Sequence, residues 1–346
     1  MNSALFSFDY ELFLGSNSGN VDSCMIRPTN RIKKILDAYK VKGIFFVDTI
    51  YLIRLKEMAG QFPKVAIDYE NICLQLNQLH QKGHYLFIHL HPHWLDAQYE
   101  SNTNTWNLSN TNRYRISSLL PAERDNLFRD SISLLDQILA TNNPALYNGY
   151  RAGGWSITPF SDFSESFKKN NIKYDFTVIT DKYLNSNIQQ FDFRNAPRKI
   201  LYRFEEDINK EDTAGNFVEI PVSVYSVSSS WHKISHQFEK MKHVISKWRN
   251  GNQEGLGSTV KANVIESDNI KGIDGRIKYV AQFENLNFIL FVSLFGYFKK
   301  KHHIHTVSHP KMFKTWDYYY LRCFLFFTTY FGELVSDFKV LEVMLS

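Results

Sequence analysis

Gly43-Ile44-Phe45-Phe46-Val47 is apolar at every position, and this short stretch decides the fold. A run of this kind reads as a strand covered on both faces, as in a parallel sheet flanked by helices. The segments on either side fit that setting. Upstream, Leu5–Phe8 reads as a strand, and Arg31–Tyr39 as a helix with Ile32, Ile35 and Leu36 on one face. Downstream come a helix over Glu70–Lys82, stopped by Gly83, a strand over Tyr85–Leu90, and a helix over Pro121–Leu139. Further strands are predicted at Leu146–Tyr150, Tyr174–Ile179, Phe217–Ile220 and Ile304–Val307, seven in all. Strands alternating with amphipathic stretches are the pattern of βα units. The expected fold class is α/β, a barrel of alternating strands and helices built as one domain over residues 1–346. Three segments interrupt the rhythm: a long polar loop at Tyr99–Arg113, an irregular insertion around 233–284, and a C-terminal helix over 315–336.

The composition, 44% apolar with 15% aromatic residues, supports a packed core and excludes a disordered chain. A net charge of +5 over 346 residues is too mild for a nucleic-acid footprint. The densest basic run, Lys299-Lys300-Lys301-His302-His303, reads as a solvated turn. Cys24, Cys73 and Cys323 stand apart and make neither a disulfide framework nor a cysteine metal site. The longest apolar stretch, Phe288–Phe298, is too short to span a bilayer, so no stable membrane insertion is expected. The first residues lack a signal-peptide pattern, and a cytoplasmic protein is the expectation.

Four clusters fall at the carboxyl ends of predicted strands, where α/β barrels place their chemistry. Asp9 and Glu11, two residues apart, leave a strand end together: one carboxylate can hold a metal while the other acts as a base. His89-Leu90-His91-Pro92-His93 sets three imidazoles in five residues straight after a strand, a density that suits metal ligation better than packing. On an extended strand residues 89, 91 and 93 share a face; in a turn imposed by Pro92, 89 and 93 converge instead. Arg151-Ala152-Gly153-Gly154-Trp155 puts a cation suited to gripping a carboxylate beside glycines that permit close approach. Ser308-His309-Pro310 ends the last predicted strand. No Gly-x-Ser-x-Gly turn occurs, which argues against a serine esterase.

In this order the clusters resemble the motifs of the polysaccharide deacetylase (NodB-homology) family. Ser7-Phe8-Asp9 matches its Thr/Ser-Phe-Asp-Asp, His89 and His93 its His-x-x-x-His, Arg151 to Gly154 its Arg-x-x-Gly, and Ser308-His309-Pro310 its terminal His-Pro. Lys42 to Val47 looks like the family's second strand, so the resemblance runs from about residue 3 to 313. It implies a distorted (β/α)7 barrel, a divalent metal of the zinc type (cobalt or nickel in some cases), and hydrolysis of an N- or O-acetyl group on a sugar. By the same resemblance Asp9 is the general base oriented by Arg151, His89 and His93 bind the metal, and His309 is the general acid. The family's second Asp is Tyr10 here, and Glu11 is the expected third ligand. His91, the backbone of Tyr10, Trp94 and Trp155 are the expected substrate-side groups. The implied partner is an acetylated sugar or glycan precursor of surface polysaccharide synthesis. Two rivals stand beside this reading: an amidohydrolase of the same barrel cutting another C–N bond, and a catalytically silent carbohydrate-binding or assembly protein, which the Tyr10 substitution keeps open.

Overall fold

The computed structural model describes residues 2–15, 17–186, 188–237, 275–330 and 334–342. Among the described residues seven parallel strands form the continuous path of one sheet: β1 (Asn2–Tyr10), β2 (Gly43–Asp48), β3 (Tyr85–Leu90), β4 (Gly149–Ala152), β5 (Tyr174–Asp175), β6 (Phe217–Glu219) and β7 (His303–Ser308), and Leu334–Val335 adds a short parallel pairing to β1. Their spatial order is β6-β5-β4-β3-β2-β1-β7, with Tyr202–Phe204 antiparallel outside β6. The sheet curls back on itself. Beyond β6 the Ser223 amide donates to the His305 carbonyl on β7 at 2.9 Å, and the Val307 amide donates to Ala281 at 3.0 Å. The architecture is mixed α/β with a curled sheet, consistent with a distorted barrel.

Helices α1 (Arg27–Ala38), α2 (Thr49–Met58), α3 (Pro63–Gln81), α4 (Pro121–Leu139), α5 (Ser164–Lys169), α6 (Phe288–Lys301) and α7 (Thr315–Tyr330) join the strands. α2, absent from the sequence reading, starts directly at the end of β2 because Asp48 caps it, its carboxylate accepting the Tyr51 amide. None of the helices among the described residues is long and apolar enough to cross a membrane.

The alternation of side chains along each strand decides what the curl encloses. One face of the sheet carries Leu5, Ile44, Phe46, Phe87, Phe176 and Val218, which form their own apolar cluster inside the curl. The opposite face, with Phe8, Phe45, Val47, Ile88 and Tyr150, packs against the helices. Phe338, from the short helix Phe338–Glu342, closes the amino-terminal end of the inner cluster against Phe87 and Tyr174. Each fully buried Phe of this kind contributes roughly 1.5–3 kcal/mol. Towards the carboxyl ends the same inner face turns polar.

Several expectations are corrected here. The fourth strand starts at Gly149, because Pro144–Tyr147 forms a 3-10 turn. The segment 99–113 is no plain loop: Gln98–Glu100 pairs antiparallel with Thr105–Asn107, and buried Trp106 pins the hairpin down. The C-terminal helix is described as far as Tyr330 and does not reach 336, since Leu334–Val335 is a strand that pairs with the start of β1. The basic run is no turn either. Lys299–Lys301 close α6, His302 takes a left-handed conformation, and His303 begins β7 as a buried residue. Most of the expected insertion at 233–284 lies outside the described residues. Within it, residues up to 237 are helical, and Ile277–Val280 pairs with Val224–Val227.

Candidate metal and catalytic site

The inner face brings the polar groups of five strands together through register alone. Asp48 pairs with His89, and His89 with Arg151; Tyr10 pairs with Val47, so Glu11 follows one step beyond. On the other side Ser308 pairs with Phe8, which delivers His309 next to Asp9 across 300 residues of sequence. Asp9 and Glu11 point inward because they are two residues apart. Tyr10, between them, points to the helices and gives its hydroxyl proton to Gln75 Oε1 at 2.8 Å, so its side chain takes no part in the site.

Arg151 is fully buried and wholly used. Nη1 donates to Asp9 Oδ1 at 2.5 Å, Nη2 to Ser7 Oγ at 2.7 Å, and Nε to the Phe176 carbonyl at 3.1 Å, while the guanidinium lies 4.0 Å over the Phe46 ring. Nη2 also meets His305 Nε2 at 3.3 Å. His305 donates from Nδ1 to the carbonyls of Ile220 and Pro221, and burial followed by Arg151 holds it well below its ordinary pKa, so Nε2 is a lone pair that accepts from the arginine. Burial would raise the pKa of Asp9, yet Arg151, His89 and His309 hold it below the usual carboxylate value. Asp9 is therefore an anion in fixed orientation.

Beside it, Glu11, His89 and His91 bring one donor atom each to a common point, all three residues buried. His91 Nε2 lies 2.8 Å from Glu11 Oε2 and 3.0 Å from His89 Nε2, and His89 Nε2 lies 3.5 Å from the same Glu11 oxygen. Four ligands around a zinc-type ion at about 2.1 Å sit roughly 3.4 Å apart, so this spacing fits a small divalent cation. The chemistry of the donors fits as well. His89 donates from Nδ1 to the Arg151 carbonyl at 2.8 Å, which leaves Nε2 as the free lone pair, the usual arrangement of a ligating histidine. Glu11 remains ionised: burial pushes it up, but Lys311, His91 and His89 more than offset that and keep it well below its ordinary value.

The resemblance implies His89 and His93, whereas the donors that converge among the described residues are those of His89 and His91 with Glu11. His91 keeps an extended conformation (φ −115°, ψ 87°) before the 3-10 turn of Pro92–Asp96, so it stays on the face of His89. His93 lies inside the turn and stacks on Tyr114 at 5.2 Å. Burial, then His91, keeps it neutral, and neither of its ring nitrogens has a hydrogen-bond partner. Gly153 matters to this packing. A Cβ there would stand 2.3 Å from the Leu90 carbonyl and 2.9 Å from His91 Nδ1, so any larger residue would displace the imidazole.

His309 faces the cluster from β7. Its Nδ1 donates to Glu284 Oε1 at 2.8 Å, and its Nε2 lies 3.5 Å from Asp9 Oδ2 and 3.8 Å from Glu11 Oε1. Burial opposes the charge, but Glu284 and Asp9 outweigh it and draw the pKa above the ordinary value.

Of the tryptophans considered for sugar stacking, Trp94 is buried. Its Nε1 donates to Asp48 Oδ2 at 2.5 Å and its ring packs on Tyr51, so it supports the site from behind and meets no substrate. Trp155 is part-exposed, with its ring 5.7 Å from Arg151. Sequence reasoning missed Asp48, Glu284, Lys311 and Tyr114. Asp48 is pushed up to about 6 by burial, with Glu11 adding to the effect. Lys311 Nζ donates to Glu11 Oε1 and to the Leu12 carbonyl, at 2.8 and 2.6 Å. Only Lys311 carried a signal, its place two residues after His309. A separate cleft of about 1050 Å³, between Arg198, Lys278 and Trp231, is lined by none of these groups.

No family model and no curated protein matches the chain. Among solved structures, it is similar to a crystal structure from Mycobacterium smegmatis described as a "putative polysaccharide deacetylase", at 13% identity and a TM-score of 0.46, over 99% of this chain and 89% of that one.

Proposed function

We propose that the chain is a metal-dependent hydrolase on a single (β/α)7 barrel, and that it removes an acetyl group, N-acetyl foremost, from a sugar or glycan precursor. The observation that carries this reading is the convergence of Glu11, His89 and His91 donors beside an Arg151-held Asp9 and an inward-facing His309. Glu11, His89 and His91 would hold a divalent ion of the zinc type, which would supply Lewis acidity and make water more acidic. The remaining work belongs to the protein. Asp9, anionic and fixed by Arg151, takes the proton from the attacking water. His309 carries a proton on Nε2 and gives it to the departing amine as the C–N bond breaks, leaving acetate and a free amino sugar. Glu284, on Nδ1, aims the ring and favours its charged form. Part-exposed Trp155 offers a face for the sugar, and a precursor in surface polysaccharide synthesis is the substrate class we favour.

Acetate release from N-acetylated sugars tests this, with metal content measured on the same sample. Activity should vanish with a chelator and return with zinc, cobalt or nickel. A protein that binds no divalent ion, or one whose acetate release ignores the chelator, overturns the proposal.

A further inference from the structure

α6 and α7 lie side by side, with Phe291 against Tyr320 at 5.1 Å and Phe295 against Phe327 at 5.8 Å. Their facing sides are buried through Leu294, Phe298, Leu321 and Phe324. The outward sides are apolar as well. On α6, Phe288 (61% exposed), Val292 and Phe295 fall at i, i+4 and i+7, and the stripe continues into Lys299 at i+11. On α7, Trp316, Tyr319, Phe326, Phe327 and Tyr330 share one face, and Tyr330 is 72% exposed. The contact between Phe295 and Phe327 joins the two stripes, and Phe326 stacks on Tyr330 along α7. A contiguous aromatic surface of this kind marks an interaction site, since single exposed apolar residues are ordinary but large patches are not.

Charge identifies the occupant. The aromatic face carries two exposed cations, Lys299 at the end of the α6 stripe and Arg322 beside that of α7, while Lys300 and Lys301 line the cleft next to Tyr225 and Trp231. The one acid of the two helices, Asp317, is buried and accepts the Lys314 amide. Aromatic side chains flanked by Lys299 and Arg322, with no exposed carboxylate among the described residues of the two helices, suit the boundary between lipid headgroups and acyl chains, where rings bury shallowly and cations meet phosphates. We propose that the α6–α7 face docks the protein peripherally on a bilayer bearing anionic headgroups. The inference rests on exposure and charge, and on no residue of the candidate metal site.

Flotation of the full chain with vesicles tests it. The protein should float with phosphatidylcholine vesicles containing phosphatidylglycerol, weakly with phosphatidylcholine alone, and less as salt rises. Reversing Lys299 and Arg322 to Glu should lower partitioning on the order of a hundredfold. Phe326→Ser with Phe327→Ser and Tyr330→Ser should also release the protein. Brominated lipids should quench wild-type fluorescence, and Trp316→Phe should remove that part of the quenching, a readout needing no destabilising change. Absence of vesicle binding at low salt, or binding indifferent to both sets of substitutions, overturns the proposal. So does a dimer that is lost with the aromatic substitutions while no vesicles are bound, since the face would then join two copies.

Discussion

His91 Nε2 lies 2.8 Å from Glu11 Oε2, while His93, two residues further on, stacks its ring on Tyr114. His89→Ala and His91→Ala should therefore each reduce bound divalent metal to background in elemental analysis, and Glu11→Ala should weaken it. His93→Ala should keep the metal. The reverse result for the two histidines would restore the pattern expected from the family spacing.

Arg151 is the counter-charge of Asp9, and both are buried. Arg151→Met should strand the carboxylate and cost about 3–5 kcal/mol in denaturant unfolding. Asp9→Asn in the same chain should recover part of that loss. If Arg151→Met unfolds at the wild-type midpoint, the pair contributes little to the fold.

His309→Ala should leave metal content intact and lower turnover of an N-acetyl substrate by ~10²–10⁴. An activated ester, whose leaving group needs no proton, should suffer less. Activity needs His309 charged, so it falls as pH rises through that group's pKa. Glu284 raises that pKa, and Glu284→Gln should move the falling limb to lower pH. An unmoved limb would remove Glu284 from the reaction.

His303 is buried at the start of β7, where burial lowers its pKa to about 4. The unfolded chain takes up this proton near 6.5, so the stability tied to the neutral ring is complete above pH 6.5 and is lost as pH falls towards 4. His303→Gln should flatten the pH dependence of the melting temperature within that window. Parallel wild-type and variant curves would count against a neutral buried ring.

Much of this arrangement was legible because it depends on period two. Asp9 with Glu11, and the polar ends of apolar strands, mark one shared side in the sequence itself. Whether His91 or His93 joins His89 depends on one ψ angle before Pro92, and spacing in sequence does not encode it. Glu284 stands in a polar stretch far from any predicted strand, and it reaches His309 because its segment is pinned to β7, Val307 donating to Ala281 and Phe283 to Ser308 Oγ. Trp94 looked like a sugar platform, yet the indole N–H found a buried acceptor in Asp48.

The pairing of Ser3 with His303 also sets a clock. Synthesis at 5–20 residues per second separates the first strand from its last neighbour by roughly 15–60 s. Throughout that interval one edge of β1 has no partner from β7, and an unpaired edge is a template for aggregation. The nascent chain already holds the carboxylates of β1 and the imidazoles of β3, but neither His309 nor Lys311. A chain released before residue 303 would hold Glu11, His89 and His91 without His309 or Lys311, so β7, the last strand of the continuous path, is what completes the candidate site.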